Sequence, residues 1–417
     1  MLRSKTLFAW IALSLVGCAE STPVQDGGSL HAFGSDLPRF AVLSTDDTYT
    51  STSVGFLDAE ASPMVESWIH SGTVAPKLVE TLGGDVVFVT EERGDGTFTL
   101  VDRFGTDVIT RFDLATGEVI GQVRVRESFA VNPYDVAYTD DGRAFLVRFG
   151  KNPDPAASDL EAGNDIVELD PDTVSLVGLD PETGTIAGRI DLSPIDALVG
   201  DTMTYASPAS ALDVSGYLVV GLGRFALDYS AAAEGGFAIV EPASGNVELV
   251  TIPGLKSCEQ VHRVPGHPAR FAVHCGGMYG SEEPDAGLVV FELDADGQAT
   301  EVASYLAEEG GSPLDSVVVL DGDRFFGIRF GTWDSSADPD VGYVVRFDDG
   351  EAEEVLRASA GGATLGTAAF DPETGILLVP DKNDGVIQLR AQGASFEEVR
   401  RFAFGRSGMR VRAFVRL

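Results

Sequence analysis

The sequence predicts an all-β chain folded as a seven-bladed β-propeller of four-stranded antiparallel blades. Three observations lead there. From residue 39 onward, short apolar runs alternate with Gly, Asp, Asn and Pro turns, and no stretch carries an amphipathic helix over three turns. The runs recur in groups of four. The chain then ends on one lone β-run, residues 411–417, which supplies the strand missing from the N-terminal group.

The chain opens with two cations, Arg3 and Lys5, before an apolar run from Leu7 to Val16 that is too short to span a bilayer. Leu15-Val16-Gly17-Cys18 then forms a lipobox, with a small residue before the thiol that accepts lipid. Residues 1–17 are expected to be a bacterial lipoprotein signal peptide, and Cys18 the diacylated, palmitate-bearing membrane anchor. Ala19, rather than an Asp, follows Cys18, which favours the outer membrane, with the domain facing the periplasm or the surface. Residues 18–38, rich in Gly, Ser, Thr, Pro and Asp, read as a flexible tether, and 39–417 as the propeller.

Three N-terminal runs, RFAVLST, TSVGFLD and MVESWIH, make up blade 1, whose innermost strand is expected to be the C-terminal VRAFVRL. Closing the ring this way leaves no bare strand edge. Blade 2 reads DVVFVTEE, FTLVDRFG, DVITRFDL and EVIGQVRV over residues 85–125. Blade 3 reads DVAYT, AFLVRFG, VSLVGLD and TIAGRIDL over 135–192, with a long loop at 151–173. Blades 4 to 7 follow at 209–252, 259–306, 315–358 and 364–404. The turns Asp113–Gly117, Asp180–Gly184 and Glu241–Gly245 are placed between third and fourth strands, and Asp371–Gly375 between a first and a second. In each, the acid opens the turn by accepting backbone N–H bonds, and Gly closes it with a positive φ.

FTLVDRFGTDVITRFDLATGEVIGQVRV and NPYDVAYTDDGRAFLVRFG, within residues 97–192, resemble repeats of the bacterial YVTN-type β-propeller family. The resemblance implies a seven-bladed ring in a surface or periplasmic protein, often a binding or scaffold protein. The naming strand reads FTLVDRFG or FLVRFG here. Because that repeat is structural, the resemblance implies no catalytic residue.

The 417 residues carry 65 acids against 29 Lys and Arg, a formal charge of −36. Losing Arg3 and Lys5 with the leader takes it to about −38. Such a charge repels nucleic acid and anionic headgroups, so no nucleic-acid partner is expected. With 44% hydrophobic residues, the acids decorate a real core, and a monomer is expected. Beyond Cys18, only Cys258 and Cys275 remain, which in an oxidising compartment suggests one disulfide.

Catalytic signatures such as GxSxG, HExxH and the phosphate-binding P-loop are absent, and no catalytic residue is assigned. His262, His267 and His274 share one hairpin, but His267 and His274 are too far apart along it to share a metal. No cofactor or metal is expected, with calcium on Asp334, Asp338 and Asp340 the one alternative to a solvated acidic loop.

The second strands end in Arg-Phe-Gly or a relative, which places Arg103, Arg148, Arg224 and Arg329, with His274 in blade 5, on one rim as candidate ligand-facing groups. Hairpin register sets Asp135 against Arg148, Asp315 against Arg329 and Glu259 against His274. A ring of structural ion pairs accounts for this pattern. The rival account is an anion or polar-glycan site with bidentate Arg donors. Acidic loops at 151–173, 225–236, 278–287 and 332–341 lie above the rim, where a rigid ring places recognition. The expectation is an envelope-anchored, non-enzymatic binding or scaffold module with a protein or glycan partner. The alternative is a propeller hydrolase of lactonase type acting at the mouth of the central channel.

Overall fold

The computed structural model describes residues 30–103, 105–278, 284–308 and 312–417, so Cys18 and the leader lie outside the described residues. The chain forms a seven-bladed β-propeller, each blade built on four antiparallel strands. From the axis outward, blade 1 consists of Arg410–Arg416, Phe40–Thr45, Thr52–Leu57 and Pro63–His70. The closing strand pairs with Phe40–Thr45 from Phe40↔Arg416 to Thr45↔Arg410, slipping by one residue at Leu43/Ser44. Val411 and Phe414 pack with Phe40 and Leu57 and also with Ile376 and Leu378 of blade 7. One C-terminal strand thus completes a blade and seals the seam.

Burial follows strand position. Phe40–Thr45, Thr52–Leu57 and Ile376–Asp381 are buried at every residue, because adjacent blades cover both of their faces. Outer strands such as Asn246–Thr251 alternate, having one face in water. The expected tether is packed from Leu30 onward. Leu30 and Phe33 are buried beside Phe56 and Trp68, and the Trp68 indole donates to the His31 carbonyl at 2.7 Å.

Blade 3 differs from the expectation. Its third strand is Gly163–Asp170, inside the stretch read as a loop, and it pairs with Ala144–Lys151. VSLVGLD and TIAGRIDL contribute only two-residue strands. Ser175–Leu176 and Ile190–Asp191 pair with different parts of the third strand's outer edge, while Leu179–Asp180 and Thr185–Ile186 form a separate small hairpin. The Asp180–Gly184 turn therefore belongs to that hairpin. The turn after the third strand is Asp170–Val174, in which the Val174 N–H donates to the Asp170 carbonyl at 2.8 Å with Val174 at φ +51°. Polar Asn164 and Asp165, both buried, interrupt the apolar run, and the turn carries Val where Gly is usual.

Buried polar groups link neighbouring blades. Asp135 of blade 3 accepts N–H bonds from Thr90 of blade 2 and Ala211 of blade 4 at 2.9 and 2.8 Å. The Ser210 hydroxyl of blade 4 donates to the Glu259 carbonyl and accepts from the Val261 N–H of blade 5. On the face opposite the long loops, Arg263 of blade 5 reaches Glu91 of blade 2, with Nε–Oε1 at 2.7 Å and Nη2–Oε2 at 2.7 Å. These blades are three apart in a ring of seven, so this ion pair crosses the axis.

Candidate functional site

Of the five cationic groups expected on the rim, three turn inward. Arg148 is fully buried and pairs with Asp165, not Asp135. Its remaining N–H groups donate to the carbonyls of Leu160, Asp159 and Val125, leaving none for a ligand. The hairpin is centred on Asp141, one register step from the expected alignment, so Asp135 opposes Val147, and a bulge between Pro133 and Asp135 then sets Arg148 opposite Pro133. Arg224 is buried and donates to the Glu234 carbonyl at 2.7 Å, with burial holding its guanidinium below its ordinary value. His274 opposes Gln260 rather than Glu259, and its Nε2 donates to the Leu314 carbonyl at 2.8 Å. Burial lowers His274 to about 4 and neighbouring His262 to about 3, so both rings are neutral at physiological pH.

Arg103 and Arg329 stay near the surface. Arg329 pairs with Asp338 at 3.1 Å instead of Asp315, whose carboxylate accepts the Phe330 N–H. Arg103 pairs with Asp85 at 2.6 Å, an acid-opposite-base contact that sequence reasoning missed. Its guanidinium also lies 4.5 Å over the Tyr134 ring. Across the mouth of the channel stands Glu259, raised by burial against the opposing pull of the Ser257 hydroxyl and the Arg103 charge.

From Tyr134 an aromatic row leads away from the mouth. Tyr134 stacks on Phe149 with ring centres 4.7 Å apart and planes at 20°. Phe149 is 6.5 Å from Phe225, which is 5.3 Å from Tyr229. This row borders a cleft of about 400 Å³ between blades 3 and 4 on the loop face. Blade 3 and its entering link supply Phe129, Asn132, Phe149, Lys151 and Pro153. Blade 4 and its link supply Tyr205, Ser207, Phe225, Leu227 and Tyr229.

The Arg-Phe-Gly motif builds this cleft through its other two residues. Phe149 and Phe225 enter the row, while Arg148 and Arg224 beside them point into the protein. A Cβ on Gly150 would sit 2.9 Å from the Ala130 carbonyl oxygen, so glycine lets the strand end meet the link that carries Phe129 and Asn132. Tyr229 and Leu227 at the lip are 57% and 49% exposed, an apolar surface open to a ligand.

The acidic loop of blade 6 is internally satisfied. Asp340 is buried and accepts from the Gly331, Thr364 and Leu365 N–H groups and the Thr364 hydroxyl, tying blade 6 to blade 7. Asp338 accepts from Arg329 and from the Thr332 N–H and hydroxyl. Donor hydrogens thus face Asp338 and Asp340, two of the three carboxylates weighed as a calcium alternative to a solvated loop. Cys258 and Cys275 form a disulfide beneath the loop face.

No family model matches the chain, and no curated protein matches it. Solved structures do resemble it. A periplasmic gluconolactonase from Pseudomonas aeruginosa is 14% identical, with a TM-score of 0.54, covering 91% of this chain and 99% of its own. A protein from Lactobacillus plantarum is 9% identical, with a TM-score of 0.55, covering 91% and 99%. A provisionally named 6-phosphogluconolactonase from Bacteroides fragilis is 10% identical, with a TM-score of 0.54, covering 92% and 99%. At these identities the likeness is one of fold.

Proposed function

We infer that this protein is an envelope-anchored, non-enzymatic binding module that takes its ligand in the cleft between blades 3 and 4. The aromatic row running from Tyr134 to Tyr229 carries this reading, because it presents apolar surface and hydroxyls in a concave, loop-face position. Among the described lining residues the titratable groups are Lys151, Tyr205 and Tyr229, a set without a carboxylate or imidazole base. The anchor is Cys18, and Cys18→Ser is expected to move the protein from the membrane to the soluble fraction. The site is tested with Leu227→Ala/Tyr229→Ala, which leaves the core intact. Capture of cell-envelope material by the immobilised protein is expected to fall at least tenfold, and unchanged capture overturns the assignment.

A second reading places a lactonase-type hydrolase at the channel mouth. It is supported by Glu259, whose mostly buried carboxyl is raised by desolvation, by the Ser257 hydroxyl that donates to it, and by the Arg103 charge across the mouth. The activity named for the Pseudomonas aeruginosa neighbour points the same way. Hydrolysis of gluconolactone by the wild type, lost in Glu259→Gln, would select this reading over the first.

A further inference from the structure

We propose that the cleft between blades 3 and 4 holds a neutral carbohydrate ring, stacked on Tyr229 and hydrogen-bonded to Asn132. The proposal rests on the binding role inferred above and gives it a ligand class.

Asn132 supplies the polar half of the site. Its Oδ1 is closed to water and has no hydrogen-bond partner, yet the residue borders the cleft. A buried acceptor without a donor is unfavourable, and rotation of the amide into the cleft, where a ligand hydroxyl meets it, relieves it. The backbone at this point is fixed: the Asn132 N–H donates to Asp107 Oδ1 at 2.6 Å, and φ is +52°. Ser207, across the cleft in the link to blade 4, also has a positive φ, +49°, and is held by its N–H to Asn164 Oδ1 at 2.8 Å. Both walls are therefore pinned before any ligand arrives.

Tyr229 and Leu227 supply the apolar half. Their exposed faces offer a flat platform suited to the C–H face of a pyranose, while Tyr205, Ser207 and Lys151 can meet its hydroxyl rim. A planar aromatic ligand would use the platform but leave Asn132 unsatisfied. Charge selects further. Lys151 is the one charged side chain among the described lining residues, and a chain at −36 repels phosphorylated or polyanionic ligands. A volume of about 400 Å³ has room for about one or two hexose rings.

The test is calorimetric titration of the full chain in detergent with glucose, N-acetylglucosamine, maltose, cellobiose and chitobiose, with indole as a planar aromatic control. At least one sugar is expected to bind one-to-one and indole not to compete with it. Tyr229→Ala is expected to weaken that sugar at least tenfold. Asn132→Gly, which keeps the positive φ while removing the acceptor, is expected to weaken it about three- to tenfold. Binding of indole alone, no binding by any of the five sugars, or sugar binding indifferent to Tyr229→Ala overturns the proposal. If envelope capture still depends on Leu227 and Tyr229 while no sugar binds, the binding role stands and the carbohydrate falls.

Discussion

Arg148 and Asp165 meet in the interior of blade 3 as a bidentate pair, with Nε–Oδ1 at 2.8 Å, Nη2–Oδ2 at 2.7 Å and neither side chain exposed. Arg189 donates to the same carboxylate. Removing one partner leaves a buried charge uncompensated, which typically costs about 3–5 kcal/mol. Arg148→Ala is therefore expected to lower the urea unfolding free energy by about that amount. Exchanging charges as Asp135→Arg with Arg148→Asp is expected to give no recovery, since Asp135 is engaged with Thr90, Val136 and Ala211. Recovery by the exchange would contradict the observed pairing.

The Cys258–Cys275 disulfide closes a loop with a sequence separation of 17. The loop-entropy model puts the stabilisation from such a crosslink at about 3 kcal/mol. Cys258→Ala/Cys275→Ala is expected to unfold at correspondingly lower denaturant, and the wild type to move to the same midpoint under reductant. A wild type indifferent to reductant would show that the bond is not formed in solution.

Deleting residues 411–417 removes the innermost strand of blade 1 together with Val411 and Phe414, both buried at the seam. The edge of Phe40–Thr45 is then unpaired, an invitation to intermolecular pairing. Aggregation on size-exclusion chromatography, or loss of cooperative unfolding, is the expected outcome. A monomeric, cooperatively folding truncation would place ring closure elsewhere.

Asp135 gives stability an unusual pH dependence. Burial raises its carboxyl from 3.8 to about 6, against the N–H bonds from Thr90, Ala211 and Val136. The folded state thus binds this proton more tightly than the unfolded chain. Its contribution grows as pH falls from about 7 to about 4, by up to about 3 kcal/mol. Asp102, also raised to about 6 by burial, adds to the same slope. Asp135→Asn, neutral at every pH, is expected to reduce the gain in urea midpoint between about pH 7.5 and about pH 5. An undiminished gain would assign the slope to other groups.

The ring and its closure were legible because inner strands write themselves as repeated apolar runs, and blade 1 was visibly one strand short. Blade 3 was misread where Asn164 and Asp165 place buried polar groups inside a strand, a pattern that looks like loop unless Arg148 and Arg189 are known to face it. Asp170–Val174 was missed because the turn lacks its glycine. The site was half visible. Arg-Phe-Gly stood out as a recurring motif, but chemistry drew attention to the cation, whereas Phe149 and Phe225 line the cleft. Hairpin register misled at Asp135 and Glu259, whose hairpins each sit one residue away from the expected alignment, and at Asp315, where the expected alignment holds but Arg329 turns to Asp338 instead. Tyr205 and Asn132 sit in inter-blade links, where no periodicity marks them.

The Glu91–Arg263 pair ties the ring across its axis. Blades in a propeller otherwise hold only their two neighbours, so a bidentate contact between blades three apart works as a strut. Spreading of blade 2 from blade 5 has to break it, which resists opening of the ring from the face opposite the long loops.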